Sequence, residues 1–137
     1  LHPRVRRQRQ MCIRDRYREG LGETFIITRG LDGCLYLYPS DAWQEFADKL
    51  QSLPSTLQNR KIQRQFLSKA MEVSLDKQGR ILVPALHREM ADLEKDVVFV
   101  GMMNRVELWD KARYNTEETE EDEELLASAM DTLDISL

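Results

Sequence analysis

The chain contains a diverged internal repeat, and this feature constrains its fold more than any other. Residues 71–114 recur in altered form at residues 17–43. The alignment rests on five pairs of residues that lie 71 positions apart: Gly30 with Gly101, Leu35 with Val106, Leu37 with Leu108, Tyr38 with Trp109, and Trp43 with Tyr114. Because repeated segments form equivalent structural units, we expect one fold built from two related halves.

The second copy begins with a motif that the first copy lacks. Residues 76–84 read DKQGRILVP, whereas the corresponding residues 6–14 read RRQRQMCIR, without the aspartate, the glycine or the proline. The leader, residues 1–16, shows no apolar alternation, so we expect it to make a poor strand. The first copy is therefore expected to be truncated at its N-terminal end.

The net charge of −4 hides an uneven distribution of charge along the chain. Residues 1–18 hold seven arginines against one acid, and residues 115–137 hold nine acids with no lysine or arginine. The body between these segments is nearly neutral, so the overall charge argues neither for nor against a nucleic-acid partner. The acidic tail, residues 115–137, is typical of a solvated or frayed helix.

Several classes of protein have no support in the sequence. The longest apolar stretch, Val97–Met103, is too short to span a bilayer, which predicts no membrane partner. Cys12 and Cys34 make neither a disulfide framework nor a metal site, and Cys34 is expected to be an inert small residue. His87 is interpreted as a surface histidine. We expect no catalytic residue, no metal, no cofactor and no small-molecule substrate, and a cytoplasmic location.

The apolar patterns predict a mixed α+β chain, mainly a β barrel with helices. Each copy is expected to contain two hairpins with a helical elbow, and a connecting helix is expected at residues 54–70. Predicted strands lie at 24–28, 34–38, 71–75, 80–83, 97–101 and 106–109, and predicted helices follow Pro39, Pro54 and Pro84. Because closure leaves no strand edge bare, a small closed barrel is the natural arrangement.

The turn at residues 76–80 carries the candidate chemistry. Asp76 and Gly79 are typical of a tight turn, and such turns are common. Lys77 and Arg80 flank the turn in a nearly neutral body, and Asp76 is spaced to receive Arg80 and order its guanidinium. An ordered arginine suits phosphate or guanine edges. On these residues alone, DNA contact and an ordinary hairpin turn remain equally favoured.

Three segments and one helix of the chain form a recognisable combination: DKQGRILVP, GMMNRVELW, RYREGLGETFIITRGLDGCLYLYP and the helix that carries Trp43. Through them the chain resembles MraZ-type transcriptional regulators, between about Tyr17 and Tyr114. This resemblance implies an AbrB-like, swapped-hairpin barrel and a nucleoid-associated repressor of the bacterial cell-division and cell-wall gene cluster. Its implied partners are double-stranded promoter DNA with direct repeats and further copies of the chain in a ring-shaped homo-oligomer.

The resemblance also implies roles for the residues of the turn. Arg80 would contact DNA, and Asp76 would order the side chain of Arg80. Lys77 would add a phosphate contact, and Gly79 would permit the turn. Two explanations of the leader compete. It is either a basic arm that attracts phosphate or foreign sequence joined to a truncated gene, and the abrupt onset of resemblance at Arg16–Tyr17 favours the second.

The expected division of the chain follows from these observations. The leader occupies 1–16, the truncated first repeat 17–53, the connecting helix 54–70, the second repeat 71–114, and the acidic tail 115–137. An alternative function is a protein-interaction or oligomerisation module whose DNA binding is impaired by loss of the first motif. Substitution of Arg80 separates the two functions, because it would be nearly silent in an interaction module.

Overall fold

The structure, a computed structural model, describes residues 10–12, 20–119 and 123–135. The strands in chain order are β1 (Gln10–Cys12), β2 (Thr24–Arg29), β3 (Leu35–Pro39), β4 (Met71–Ser74), β5 (Arg80–Leu82), β6 (Val97–Gly101) and β7 (Val106–Asp110). The helices are α1 (Ser40–Gln51), α2 (Leu57–Leu67), α3 (Ala85–Met90), α4 (Lys111–Thr119) and α5 (Glu123–Thr132). The mixed α+β class expected from the sequence is confirmed.

Five strands form one antiparallel sheet in the order β4-β2-β3-β7-β6. The two hairpins β2–β3 and β6–β7 are local in sequence, and they meet along the seam between β3 and β7. In that seam Tyr36 pairs with Glu107, while Leu35 faces Leu108 and Leu37 faces Val106. The seam therefore joins segments about 70 positions apart into a continuous sheet.

The expected closed barrel is wrong for the part of the chain that the structure describes. The five-stranded sheet is open, with β4 and β6 at its edges, and β5 pairs with β1 in a separate two-stranded sheet. Among the described residues, the isolated bridge between Leu75 and Ile81 links β5 to the strand before it, without a continuous ladder. The β1–β5 pair is therefore not a continuous extension of the five-stranded sheet.

The strand β1 contradicts the expectation that the leader makes a poor strand. Gln10, Met11 and Cys12 pair antiparallel with β5. Backbone groups make this pairing, so an available strand edge satisfies it without the apolar alternation that a half-buried strand requires. The other residues of the leader lie outside the described part of the chain.

The two faces of the sheet pack against different layers. The first face buries Phe25, Ile27, Leu35, Leu37, Val106 and Leu108 with Ile81, Val83 and Ala91 from the β5–α3 segment. On the second face, Tyr36, Tyr38 and Trp109 pack against Trp43, Phe46 and Phe66 from the helices α1 and α2. On the helix α1, Ala47 and Leu50 are buried.

The helices begin close to the predicted residues. Thr56 caps α2, because its side-chain oxygen accepts from the backbone N–H of Asn59 at 3.1 Å. In α1, Pro39 occupies the cap position and makes no side-chain cap. In the acidic tail, α5 buries no residue. None of the helices in the described ranges is long and apolar enough to cross a membrane.

Candidate nucleic-acid interface

The hairpin formed by β4 and β5 presents the turn that contains Asp76, Lys77, Gly79 and Arg80. The backbone N–H of Asp76 donates to the carbonyl of Arg80 at 2.9 Å, and the N–H of Gly79 donates to the carbonyl of Asp76 at 3.0 Å. Gly79 has φ +75°, in the left-handed region where a side chain is strained. The requirement for glycine that the sequence predicts at this position is therefore confirmed.

The carboxylate of Asp76 orders both the turn and the arginine that follows it. Its Oδ1 accepts from the backbone N–H groups of Gln78 at 2.8 Å and Arg80 at 2.9 Å. Its Oδ2 accepts from Nε of Arg80 at 3.0 Å. The backbone N–H of Arg80, the N–H of Gln78 and the guanidinium together lower the pKa of Asp76 below its ordinary value. The carboxylate is thus ionised at neutral pH.

The guanidinium of Arg80 is held by one nitrogen and keeps two others for a ligand. Nε is engaged by Asp76, whereas Nη1 and Nη2 make no hydrogen bond with the residues that the structure describes. The side chain of Arg80 is 21% exposed. A guanidinium fixed in this way offers a bidentate donor pair to a phosphate or to the edge of guanine.

The remaining residues of the predicted site surround this arginine. Lys77 is exposed at the tip of the turn, where an ammonium group can attract phosphate without reading sequence. Gln78 is also exposed. The structure therefore brings together all four residues singled out from the sequence, in the arrangement expected of Asp76 and Arg80. Contact with DNA itself stays a prediction.

Other arginines are held by carbonyl or side-chain oxygens within the fold. Nη1 of Arg29 donates to Gln65 at 2.7 Å, Nε of Arg113 donates to the carbonyl of Asp32 at 3.3 Å, and Nη1 of Arg60 donates to the carbonyl of Ser55 at 3.0 Å. These contacts are structural ties between elements or within a helix turn. Arg80 differs from these three because its partner is a carboxylate within an exposed turn. Nη2 of Arg105 also lies 3.9 Å from a carboxylate, that of Glu107, but this carboxylate is on the strand β7.

The interpretation of His87 as a surface histidine is wrong. The side chain is fully buried, and its Nε2 lies 2.6 Å from the carbonyl of Lys69. A carbonyl only accepts, so Nε2 carries the proton, and the buried Nδ1 has no partner among the described residues. Burial lowers the pKa of this imidazole. A single sequence offered no signal for this contact, because Lys69 lies 18 positions away.

Cys34 behaves as the sequence predicts. It is buried just before β3, and its thiol donates to the carbonyl of Leu31 at 3.1 Å. Burial raises its pKa to about 12, so the reactive thiolate is absent at neutral pH. The residue is an inert part of the core.

Two further features bear on other kinds of site. A cleft of about 380 Å³ lies between Gly20–Leu21 and the β6–β7 turn, away from the arginine turn. In the ranges that the structure describes, no three His, Cys, Asp or Glu side chains cluster as a metal site would require. The arrangement of greatest chemical interest is thus the ordered cation at the β4–β5 turn.

The family model described as "MraZ protein, putative antitoxin-like" matches residues 8–65 and 66–135 of the chain. The chain belongs to the MraZ family.

Curated relatives in the MraZ family cover most of the chain. The "Transcriptional regulator MraZ" of Heliobacterium modesticaldum is 54% identical over 101 residues, which span 73% of this chain and 71% of the relative. The protein of the same name from Moorella thermoacetica is 46% identical over 129 residues, 92% of this chain and 90% of the relative. That of Clostridium beijerinckii is 44% identical over 128 residues, again 92% and 90%.

The extent of the MraZ match bears on the leader. The match begins at residue 8, inside the segment that the sequence analysis assigned to a leader unrelated to the family. The strand β1 lies within the matched residues. Replacement of the whole of residues 1–16 by unrelated sequence is therefore not established, although Asp76, Gly79 and Pro84 still have no counterpart at their equivalent positions.

Proposed function

We propose that this chain is a sequence-specific DNA-binding transcriptional regulator that contacts DNA through the turn at residues 76–80. The observation that carries the proposal is the Asp76 carboxylate, which holds Nε of Arg80 while Nη1 and Nη2 make no hydrogen bond with the described residues. Arginine paired to guanine in this bidentate way discriminates between bases, and Lys77 supplies attraction to the backbone. The names of the curated relatives support a role in regulation.

We further propose that the chain acts as a repressor of the bacterial cell-division and cell-wall gene cluster. The support is the family resemblance, which implies direct promoter repeats as the DNA target and a nucleoid-associated, cytoplasmic location. In this proposal the protein is not an enzyme and uses no cofactor. One arginine turn per chain makes few base contacts, so a ring-shaped homo-oligomer would supply affinity by engaging several repeats at once.

The duplication seen in the sequence supports a two-unit architecture in this proposal. Residues 35–37 and 106–108 are equivalent at a spacing of 71, and the seam pairs them antiparallel about Tyr36 and Glu107. Residues 10–12 and 80–82 are equivalent at a spacing of 70, and they pair about Met11 and Ile81. Both registers are those expected if an approximate twofold axis relates the two units.

The test is a fluorescence-anisotropy titration of the full chain against two DNA fragments. One fragment carries short direct promoter repeats and the other a scrambled sequence, each at two salt concentrations, because phosphate attraction weakens steeply with salt. We expect tighter binding to the repeats, persisting at the higher salt. Arg80→Ala should abolish that preference. Arg64→Ala, which removes an equal charge from an exposed position on α2, should preserve it.

The alternative, an interaction module, predicts the opposite result in the same experiment. Its support is the open edge of β6, an apolar strand paired on one side only among the described residues. In that case both fragments bind equally and lose affinity with salt, and Arg80→Ala changes nothing. Such a result would refute the DNA-reading role of the turn.

A further inference from the structure

The hairpin that carries the arginine turn is short, so its direction depends on how its ends are held. β4 has four residues and β5 has three. The isolated bridge between Leu75 and Ile81 joins the two arms, and it includes the bond from Asp76 N–H to the Arg80 carbonyl. Asp76 orders the tip from within, β2 holds β4 and β1 holds β5. The direction of so short a hairpin also depends on how its outer ends are fixed.

The helix α3 contacts both outer ends of this hairpin. His87 donates from Nε2 to the carbonyl of Lys69, two residues before β4 begins. Arg88 donates from Nε to the carbonyl of Val83 at 3.2 Å, one residue after β5 ends. Adjacent residues of one helix therefore hold the entry and the exit of the hairpin.

His87 bonds to Lys69 from a buried position. The imidazole is fully buried, and its second nitrogen has no partner in the described part of the chain. A buried polar ring with one unsatisfied nitrogen costs free energy that an apolar side chain would avoid. A leucine would pack at this position without that cost, but it could not bind the Lys69 carbonyl.

We propose that His87 and Arg88 are positioning residues that orient the Asp76–Arg80 turn by tying both ends of its hairpin to α3. This inference rests on the proposed function, since the orientation matters because the turn is presented to DNA. Neither side chain needs to touch DNA. Their effect on binding passes through the position and order of Arg80.

Matched substitutions separate the hydrogen bond from general packing. His87→Leu removes the donor and keeps an apolar side chain, whereas His87→Gln keeps an N–H donor that can reach the Lys69 carbonyl. Arg88→Met removes the second tie at a half-buried residue and serves if His87→Leu does not fold. Arg64→Met is the control for loss of one positive charge.

The first readout needs no DNA. Hydrogen exchange at the backbone amide and Nε–H of Arg80 is followed by nuclear magnetic resonance in the full chain. We expect exchange to become about three- to tenfold faster in His87→Leu and Arg88→Met, the range for loss of one hydrogen bond. His87→Gln should restore the rate of the wild type. Unchanged exchange in both His87→Leu and Arg88→Met, or failure of His87→Gln to restore protection, would overturn the proposal.

The second readout is the ratio of affinities for repeat and scrambled DNA. Loss of positioning should lower this ratio about three- to tenfold and leave the affinity for scrambled DNA unchanged. Loss of a phosphate contact would instead weaken binding to both DNAs equally. In an Arg80→Ala background, His87→Leu should have no further effect on the ratio. An equal loss of affinity on both DNAs would identify Arg88 as a phosphate contact and overturn its positioning role.

The two readouts distinguish failure of this inference from failure of the proposed function. If the wild type shows no preference for repeats but the substitutions speed hydrogen exchange at Arg80, the DNA proposal is refuted and the positioning role stands. If the wild type prefers repeats and the substitutions leave hydrogen exchange at Arg80 unchanged, the positioning role is refuted and the DNA proposal stands.

Discussion

At the scale of single residues, one carboxylate organises the candidate interface. Asp76 accepts two backbone N–H groups and the Nε of Arg80, so the charge that closes the turn also orients the guanidinium. The sequence allowed this geometry to be predicted because the groups are four positions apart. The same local reasoning failed for His87, whose partner lies in another element.

The pKa of Asp76 provides a direct check of its contacts. Its folded pKa lies below the ordinary value of 3.8, so this carboxylate stabilises the fold at pH values above 3.8. That stabilisation is lost as the pH falls through the folded pKa. A carbon-detected titration should give a midpoint below 3.8. In Arg80→Ala the midpoint should rise only partly, since the backbone donors remain. A full return to 3.8 would show that the guanidinium alone lowers the pKa of Asp76.

Gly79 is expected to tolerate no side chain without cost. Its φ of +75° is unfavourable for alanine, so Gly79→Ala should lower the free energy of unfolding by about 1 kcal/mol. Urea denaturation measures the change. Gly20→Ala is the matched control, because Gly20 is exposed and no atom lies within 4 Å of an added Cβ. Equal stability of the two variants would show that the turn does not require the left-handed conformation.

His87 should make stability depend on pH near neutrality. Its folded pKa is below 6.5 because burial disfavours the charged ring, and the nearby Lys69 adds to this effect. The unfolded chain therefore takes up a proton first, and stability present above pH 6.5 declines as the pH falls toward the folded pKa. Thermal midpoints between pH 7.5 and 5 should fall more in the wild type than in His87→Gln. An equal fall of the thermal midpoint in the two proteins would show that His87 does not cause the pH dependence of stability.

At the scale of elements, the connecting helix α2 is attached to the sheet through a buried hydroxyl. Thr28 is fully buried on β2, and its Oγ1 donates to the carbonyl of Phe66 at 2.7 Å. The ring of Phe66 also packs edge-on against Phe46 of α1. The end of α2 is thus held by one polar and one aromatic contact on the same face of the sheet.

Removal of that hydroxyl tests the attachment. Thr28→Val keeps the shape of the side chain and leaves the Phe66 carbonyl unpaired, which should cost about 1 to 3 kcal/mol of unfolding free energy. Thr24→Val on the same strand removes a hydroxyl that only faces Ser74 at 3.4 Å in an exposed contact. Chemical denaturation of both should show the larger loss at residue 28. A smaller loss there would mean that Phe66 is held by packing alone.

Local elements could be predicted from the sequence, and their assembly could not. The hairpins on either side of Gly30–Gly33 and Met102–Asn104, the helix with Trp43 and the arginine turn follow from apolar periodicity and turn residues. The open sheet and the strand β1 depend on pairing between residues about 70 positions apart. The apolar pattern of a segment predicts its secondary structure, but it does not predict the strand with which the segment pairs.

At the scale of the whole molecule, the chain combines one ordered arginine turn with a family whose relatives are named as regulators. If the proposed function is right, one arginine turn per chain makes few base contacts, so DNA recognition requires that several chains assemble. Affinity for DNA with several repeats should then exceed the affinity for one repeat by more than the number of repeats.

Three pairs of strands have a further consequence, because β1–β5, β2–β4 and β3–β7 each join a strand from the first half to one from the second. Cutting the chain between residues 69 and 70 would divide all three pairs and leave bare strand edges on each fragment. Neither fragment should unfold cooperatively alone, whereas an equimolar mixture should recover a single transition by circular dichroism. The halves would then behave as complementing fragments of one protein, each serving as the folding template of the other.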